Sequence, residues 1–353
     1  MQLYKLFFGD EHPTNKTAPT AEERQLLLSN GFKSFVGNEL AIQKMKVMAF
    51  TAMGREDHCC SDLNFSVLGS ASTGKTTFVR LYANLLGLPF VECSPKSIKS
   101  LDALYLEIDR VLNVEGVPLV GVVRRNYFVV PPIVVFFDEA HAMLDGVIQG
   151  LLKATEKKDG FLVTESGVTL DCRKVCWVLA TTEEGRLFDA FRSRFSQVRL
   201  KYLTKKQIAQ IVKLSHPELG MDVCDKIAFY NGLITRKTLD FAVLVKMTAA
   251  MGVKSMMEVV DEVAMMEGVD KFGMNEVQVL VLKSLANGDV AKGRLVGLVG
   301  VKAEELDNFV MPELMATVED RPALVKISNR GYGLTAEGVK ELSKRGVTCN
   351  IET

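Results

Sequence analysis

The spacing of apolar residues changes twice along the chain, and each change predicts a domain boundary. Between residues 32 and 203, short apolar runs alternate with stretches of helical spacing, and the clearest strands are residues 63–68, 133–137 and 175–180. Uninterrupted apolar runs are typical of strands that are covered on both faces, as in a parallel sheet. This part of the chain is therefore predicted to be an α/β domain.

The rest of the chain is predicted to form two smaller domains. Residues 204–268 show apolar spacings of three and four in the windows 205–214, 223–229 and 236–251, which predicts a small all-helical domain. From residue 269 to 353, predicted helices at 275–286, 292–298 and 302–309 precede a hairpin that turns at residues 329–333. Helices followed by a hairpin indicate a winged-helix DNA-binding domain. Residues 1–31 are polar and contain Pro13 and Pro19, so they are predicted to be an N-terminal leader.

Composition limits the classes of protein that fit. A length of 353 residues suits two or three domains, and 48% hydrophobic with 24% charged residues is typical of a chain that folds throughout. Because 43 basic residues balance 43 acidic ones, no overall positive field indicates a nucleic-acid partner. Any contact with DNA must use local patches.

Cysteine usage and hydropathy indicate a cytoplasmic protein. The seven cysteines are odd in number and form no CxxC pair, which favours reduced thiols. His58, Cys59 and Cys60 are adjacent, a spacing that rarely converges on one metal ion. No apolar run reaches the roughly 18 residues of a membrane span, and the N-terminal segment turns acidic too early for a secretory signal.

A glycine-rich loop carries the strongest chemical signal. It follows an apolar strand, precedes a helical run and satisfies G-x-x-x-x-G-K-[ST]. In such a loop, backbone N–H groups face the phosphates of ATP, the lysine adds charge and the last hydroxyl reaches Mg²⁺. The predicted nucleotide-binding residues are Gly69, Ser70, Ala71, Ser72, Thr73, Gly74, Lys75, Thr76 and Thr77.

Two carboxylates follow the buried strand 133–137. Strand C-termini are where ligands bind in open α/β sheets. Asp138 is therefore predicted to hold Mg²⁺ together with Thr76, and Glu139 to polarise the attacking water as a general base. A solvated acidic turn is the alternative for the pair taken alone.

Four further positions are candidates for contact with the terminal phosphate. Thr182 follows the strand 175–180, and Arg192 and Arg194 follow a short predicted helix. In a ring, such arginines reach the neighbouring subunit's phosphate and stabilise charge in the transition state, although they are also ordinary surface residues. Arg236 opens a helix of the all-helical domain and is a candidate for closing that domain on the same phosphate.

The order of these motifs resembles the RuvB-type branch-migration ATPases, a family of AAA+ proteins, across residues 32–342. The resemblance is carried by FVGN at 35–38, the phosphate loop, DEAH at 138–141, LATTEEGRLFDAFRSRFSQVRL at 179–200 and ISNRGYGLT at 327–335. It implies an AAA+ core with a parallel sheet, a helical lid and a winged helix. It also implies that Phe35 and Val36 contact the nucleotide.

The same resemblance assigns roles to the phosphate-contacting candidates. Thr182 matches the first sensor, Arg194 the arginine finger and Arg236 the second sensor, with Arg192 as a supporting candidate. The implied assembly is a homo-oligomeric ring, a hexamer, with ATP between subunits and Arg194 acting in trans.

DNA and protein partners follow from the resemblance as well. Duplex or branched DNA is the expected substrate, with Arg330, Lys326 and Arg294 as candidate phosphate contacts or, equally, solvated surface residues. A hairpin over 161–170 matches the family's docking site for a RuvA-like junction-binding protein, and a purely structural hairpin is the alternative.

The sequence also departs from the family. Its loop reads GSASTGKTT in place of a proline-rich loop, residues 111–130 do not fit the family pattern, and the wing has fewer arginines. Two other functions therefore remain open: a clamp-loader-like or chaperone-like remodelling ATPase, and a nucleotide-dependent scaffold that does not translocate.

Overall fold

The computed structural model describes residues 22, 25, 28, 30–53, 63–122, 127–156, 159–183, 191, 193–231, 233–252 and 254–350, with Val122 described by its backbone only. They fall into two compact units, residues 1–201 and 202–353. Most of the predicted leader lies outside the described residues, as do Arg192 and the run His58 to Cys60. The division of the second unit at residue 268 remains a prediction.

The first unit is built on a five-stranded parallel sheet in the order β2-β5-β8-β1-β9. Its strands are β1 (Phe65–Leu68), β2 (Phe90–Cys93), β5 (Ile133–Phe137), β8 (Val175–Thr181) and β9 (Ser196–Arg199). The three predicted strands form the centre of this sheet, and all their residues are buried. The predicted α/β core is thus confirmed.

Helices cover both faces of this sheet, because consecutive side chains of the central strands point to opposite sides. Phe137 and Trp177 pack in one apolar cluster, and Phe136 and Val178 pack in the other. The helices are α1 (Glu39–Met53), α2 (Lys75–Leu86), α3 (Leu101–Val114) and α4 (Asp145–Ala154).

Residues 111–130, which do not fit the family pattern, contribute to a second sheet. After α3 they form β3 (Val120–Val122) and β4 (Tyr127–Val129). The hairpin of β6 (Phe161–Val163) and β7 (Thr169–Asp171) joins them in the order β3-β4-β7-β6, with β4 parallel to β7. The hairpin predicted at 161–170 is therefore the outer half of a four-stranded sheet.

The second unit begins with helices whose starts are readable in the sequence. Capping boxes, in which two side chains satisfy two backbone N–H groups at a helix start, pair Thr204 with Gln207 and Ser255 with Glu258. The helices are α5 (Lys205–Ser215), α6 (Met221–Tyr230), α7 (Thr235–Ala249) and α8 (Met256–Met266). They enclose a shared apolar core, as predicted for an all-helical domain.

The C-terminal part has its own apolar core, and its assignment as a winged helix remains a prediction. Helices α9 (Glu276–Ser284) and α10 (Lys292–Val299) precede a helical segment, residues 303–315, that contains a π-helical stretch at Leu306–Val310. Strands β10 (Val325–Ser328) and β11 (Gly331–Leu334) and helix α11 (Ala336–Lys344) follow.

The wing hairpin is tighter than the sequence predicts. Ser328 pairs with Gly331, so the turn consists of Asn329 and Arg330 alone, whereas we predicted a turn over 329–333. Tyr332 also bridges Val290, so a third extended residue lies beside the hairpin. Gly331 has a φ of 129°, and any side chain there would collide with the carbonyl of Val290. Among the described residues, no helix combines the length and apolarity needed to cross a membrane.

Candidate nucleotide-binding site

The glycine-rich loop joins β1 to α2 and leaves the start of that helix open. Gly74 precedes the helix in a left-handed conformation, φ 87°, and no side chain caps the helix. A Cβ on Gly69 would lie 2.7 Å from the carbonyl oxygen of Leu200, so this position excludes a side chain. Backbone N–H groups of an uncapped helix start are available to an anion. The local geometry therefore suits a phosphate.

Two side chains stabilise the loop from within. Thr73 Oγ1 donates to the carbonyl of Ser70 at 2.9 Å, and Lys75 Nζ donates to the carbonyls of Gly69 and Ser70 at 3.0 and 3.1 Å. Lys75 is only 7% exposed. Burial lowers the pKa of its ammonium, and the nearby carboxylates of Glu139 and Asp138 oppose that shift. The loop thus contains a buried cation that is bound to neutral carbonyls.

The end of β5 places a carboxylate against the start of α2. Thr76 Oγ1 donates to Asp138 Oδ2 at 3.2 Å, while the backbone N–H of Glu139 donates to Asp138 Oδ1 at 3.0 Å. A hydroxyl beside a carboxylate provides the oxygen ligands that Mg²⁺ prefers. The pair therefore fits the metal predicted for it.

Glu139 departs from regular strand geometry. Its backbone is left-handed, with φ 50° and ψ 48°, a conformation that is uncommon for a residue other than glycine. Its Oε2 accepts a hydrogen bond from Thr182 Oγ1 at 3.2 Å. The structure thereby brings together Lys75, Thr76, Asp138, Glu139 and Thr182.

His141 is a further residue of this cluster, and the sequence analysis does not assign it a role. Its Nδ1 lies 2.9 Å from Thr181 Oγ1 and 3.3 Å from Glu139 Oε2, and its Nε2 lies 3.5 Å from Glu183 Oε1. The available signal is its place in DEAH, two residues after Glu139. Its partner Thr181 lies at the end of β8, a contact that the spacing of the motif does not reveal.

Phe35 lies beside the loop. Its ring meets that of Phe78 edge-on with 5.2 Å between centroids, and a Cβ on Gly74 would lie 3.4 Å from it. Asn38 exchanges two hydrogen bonds with the backbone of Lys201, which ties this segment to the end of the unit. Val36 is half-buried, and Ala71 and Thr77 are exposed.

The candidate arginines are not part of this cluster. Arg194 donates to the carbonyl of Leu152 near the end of α4, and its Nη2 lies 3.5 Å from Glu156 Oε1. Helix C-termini attract cations, which explains this placement. None of the described contacts joins Arg194 to the loop or the acidic pair. Arg236 is exposed in the first turn of α7, in the other unit.

The three basic candidates for DNA contact are exposed. Lys326 lies on β10, Arg330 in the wing turn and Arg294 on α10. The helical segment 303–315 is acidic by contrast. Its Asp307 forms an ion pair with Lys292, with 2.5 Å between Oδ2 and Nζ. Positive charge is therefore carried by the hairpin and α10 rather than by this segment.

The turn of the β6–β7 hairpin is bound to the start of α3. Glu165 accepts hydrogen bonds from the backbone N–H groups of Leu101 and Asp102 at 3.1 and 3.0 Å. Asp102 in return accepts from the backbone N–H and hydroxyl of Ser166. We call this reciprocal arrangement the hairpin clamp.

Comparison with known proteins agrees with this geometry. Residues 65–202 match the family described as ATPase family associated with various cellular activities (AAA). A Holliday junction branch migration complex subunit RuvB from Chlamydia abortus is 25% identical over 90% of this chain and 91% of its own length. A RuvB from Fervidobacterium nodosum is 26% identical over 48% of this chain and 52% of its own length.

Solved structures share the fold. The Thermotoga maritima RuvB Holliday junction branch migration motor superimposes with a TM-score of 0.67 at 19% identity, covering 90% of this chain and 98% of that one. Residues 65–202, which contain the parallel sheet and the phosphate loop, thus match the AAA class of ATPases. The similarity to the RuvB subunit from Chlamydia abortus covers 90% of the chain and therefore extends over both units.

Proposed function

We propose that this chain is an ATP-driven motor that moves branch points in duplex DNA. The observation that carries the proposal is the span of the similarity: it covers 91% of a RuvB subunit and therefore includes the C-terminal part as well as the ATPase core. A clamp-loader-like or chaperone-like ATPase needs no similarity of that extent to a branch-migration subunit.

In the proposed site, one chain supplies the phosphate-binding and hydrolytic groups. The ammonium of Lys75 exchanges its two carbonyl partners for phosphate oxygens, which carry full negative charge. Thr76 and Asp138 would hold Mg²⁺, which when bound neutralises phosphate charge. Glu139 accepts a proton from the attacking water, and Thr182 holds the other side of its carboxylate.

We propose that the site is completed by a second copy of the chain in a ring. The guanidinium of Arg194 lies against the end of α4 and is about a third exposed, so a neighbour's nucleotide can compete for it. Such an arginine finger places its positive charge where negative charge develops on the phosphate in the transition state. Ring size, six in our prediction, and the closing role of Arg236 belong to the same proposal.

We propose that DNA is held through its phosphates by the wing and α10. Lys326, Arg330 and Arg294 are exposed cations, whereas the acidic segment 303–315 would be repelled by a phosphate backbone. If the hairpin contacts the DNA backbone and the helical segment does not enter a groove, the protein contacts phosphates and does not recognise bases. That mode suits an enzyme that must move along any sequence.

A RuvA-like partner is proposed for the four-stranded sheet, with one qualification from its geometry. The hairpin clamp engages the Glu165 carboxylate and the N–H and hydroxyl of Ser166, so a partner would meet a turn that is held against the start of α3 and is still exposed. The outward strand residues remain available, and Val163 is 52% exposed.

The test is the ATPase rate of the full chain with no DNA, single strands, linear duplex and a four-way junction, followed by displacement of a labelled arm from the junction. We expect stimulation by duplex and junction DNA, together with arm displacement that depends on ATP. An ATPase that is stimulated by none of these DNAs would contradict the motor and favour a remodelling ATPase.

A further inference from the structure

Glu139 needs outside support to act as a base. Its side chain is 46% exposed and its backbone is left-handed, so neither packing nor the sheet fixes the carboxylate. A general base must lie within hydrogen-bond reach of the proton that it removes. Displacing such a group by about 1 Å can lower turnover on the order of a hundredfold.

Both described contacts of this carboxylate are made by one of its oxygens. Thr182 Oγ1 donates to Oε2, and His141 Nδ1 lies 3.3 Å from the same atom. Among the described residues, Oε1 has no hydrogen-bond partner. One oxygen is thus held while the other is open to accept a proton.

The imidazole of His141 is itself anchored to the central sheet. Its side chain is 15% exposed, and its Nδ1 lies 2.9 Å from the hydroxyl of Thr181, which is only 1% exposed. That hydroxyl also accepts a hydrogen bond from the backbone N–H of Glu183 at 2.9 Å. The ring therefore connects a half-exposed carboxylate to the buried end of β8.

We propose that His141 is a positioning residue for Glu139: through Nδ1 it fixes the carboxylate against the end of β8, so that Oε1 faces the attacking water. The inference rests on the ATPase activity and is independent of the DNA substrate. His141 contacts neither Lys75 nor Asp138 among the described contacts, so nucleotide binding does not depend on it.

The two ring nitrogens make the proposal testable by matched substitutions. An asparagine amide reaches the position of Nδ1, a glutamine amide reaches that of Nε2, and leucine fills the space without a polar atom. We measure single-turnover ATP hydrolysis and nucleotide affinity for His141→Asn, His141→Gln and His141→Leu in the full chain. We expect His141→Leu and His141→Gln to slow hydrolysis on the order of a hundredfold, His141→Asn to stay within about threefold of wild type, and nucleotide affinity to be unchanged in all three.

His216→Leu is the control for the loss of a similarly buried imidazole, since its side chain is 14% exposed in the second unit. It should hydrolyse ATP at the wild-type rate. In a Glu139→Gln background, His141→Leu should add no further loss, because a positioning residue acts only through the group it positions.

Four outcomes overturn the inference. These are wild-type hydrolysis by His141→Leu, an equal loss in all three variants, a loss in nucleotide affinity, and an additional loss in the Glu139→Gln background. A wild-type chain that hydrolyses no ATP would instead contradict the ATPase itself.

Discussion

Lys75 is buried in the loop without a directly bonded carboxylate, and this placement determines the electrostatics of the loop. Burial lowers the pKa of the ammonium, so the folded chain carries an electrostatic cost while the lysine is charged. The cost is offset by two backbone carbonyls and by the field of Glu139 and Asp138. A cation placed in this way is stabilised most when an anion enters the loop.

Replacing Lys75 tests this view of the loop. Lys75→Ala should abolish detectable ATP binding in a titration with a fluorescent nucleotide, because the buried charge is lost. Its thermal unfolding should remain near wild type, since a lysine whose pKa is depressed contributes no charge-based stability at neutral pH. Lys99→Ala, at an exposed lysine of the same unit, should bind normally. Normal affinity in Lys75→Ala would contradict the assignment.

Glu313 gives a pH-dependent prediction in the second unit. It is 8% exposed, accepts a hydrogen bond from Gln278 at 2.8 Å, and burial raises its pKa despite Lys237 and Arg321 nearby. A raised carboxyl pKa stabilises the fold at low pH, and that stability is lost as pH rises through it.

Glu313→Gln should therefore raise the free energy of unfolding near neutral pH by about 1 kcal/mol. The gain should shrink as pH falls toward the ordinary range of glutamate. Denaturant titrations at several pH values measure it, with the exposed Glu319→Gln as the control. A gain that is constant with pH would show that the carboxylate carries no such cost.

Single residues were predictable from the sequence where their partners are local. The loop residues lie within one short motif, so its spacing alone identifies Lys75 and Thr76. The contacts of His141 and Arg194 join segments about 40 residues apart, and no local spacing encodes them.

At the scale of elements, the hairpin clamp links the second sheet to α3. Glu165 accepts hydrogen bonds from the backbone N–H groups of Leu101 and Asp102, and Asp102 accepts from the N–H and hydroxyl of Ser166. The hydrogen bonds from Ser166 lower the pKa of the Asp102 carboxyl. These groups are exposed, so we expect the clamp to order the hairpin turn rather than to stabilise the whole unit.

Asp102→Ala should open the clamp. We expect amide hydrogen exchange at Ser166 and Gly167 to accelerate several-fold, with little change in the melting temperature. Asp109→Ala, on the same helix, serves as the control. If the turn exchanges at the same rate in both variants, the clamp does not order it.

The central strands and the β6–β7 hairpin were predictable, whereas β3, β4 and the assembly of the second sheet were not. Strands β5 and β8 are fully buried and apolar at every position except Thr181 at the end of β8, which is a strong signal in the sequence. Strands β3, β4, β6 and β7 have three residues each and mixed exposure. The β4–β7 pairing is made between distant segments, so it depends on the folded core rather than on local pattern.

At the scale of the whole molecule, the proposed shared site requires more than one copy of the chain. Exposed methionines on α7 and α8 and near their ends are consistent with self-association, because methionine adapts to apolar surfaces. Met247, Met251, Met265 and Met266 are 62% to 88% exposed. Among the described contacts, Arg194 touches the end of α4 and not the loop of its own chain, which favours our proposal that it acts at a neighbour's site.

The most direct test of a shared site mixes two inactive variants. Arg194→Ala should bind ATP nearly normally and not turn it over, because the arginine finger is missing. Glu139→Gln should also bind ATP without turning it over, because the general base is missing. In a ring that contains both, an intact Glu139 from one subunit can meet an intact Arg194 from its neighbour. We therefore expect steady-state ATP hydrolysis to reappear on mixing, at a fraction of the wild-type rate that is set by random assembly. If mixtures at every ratio remain as inactive as the separate variants, Arg194 does not act in trans and the shared-site motor is contradicted.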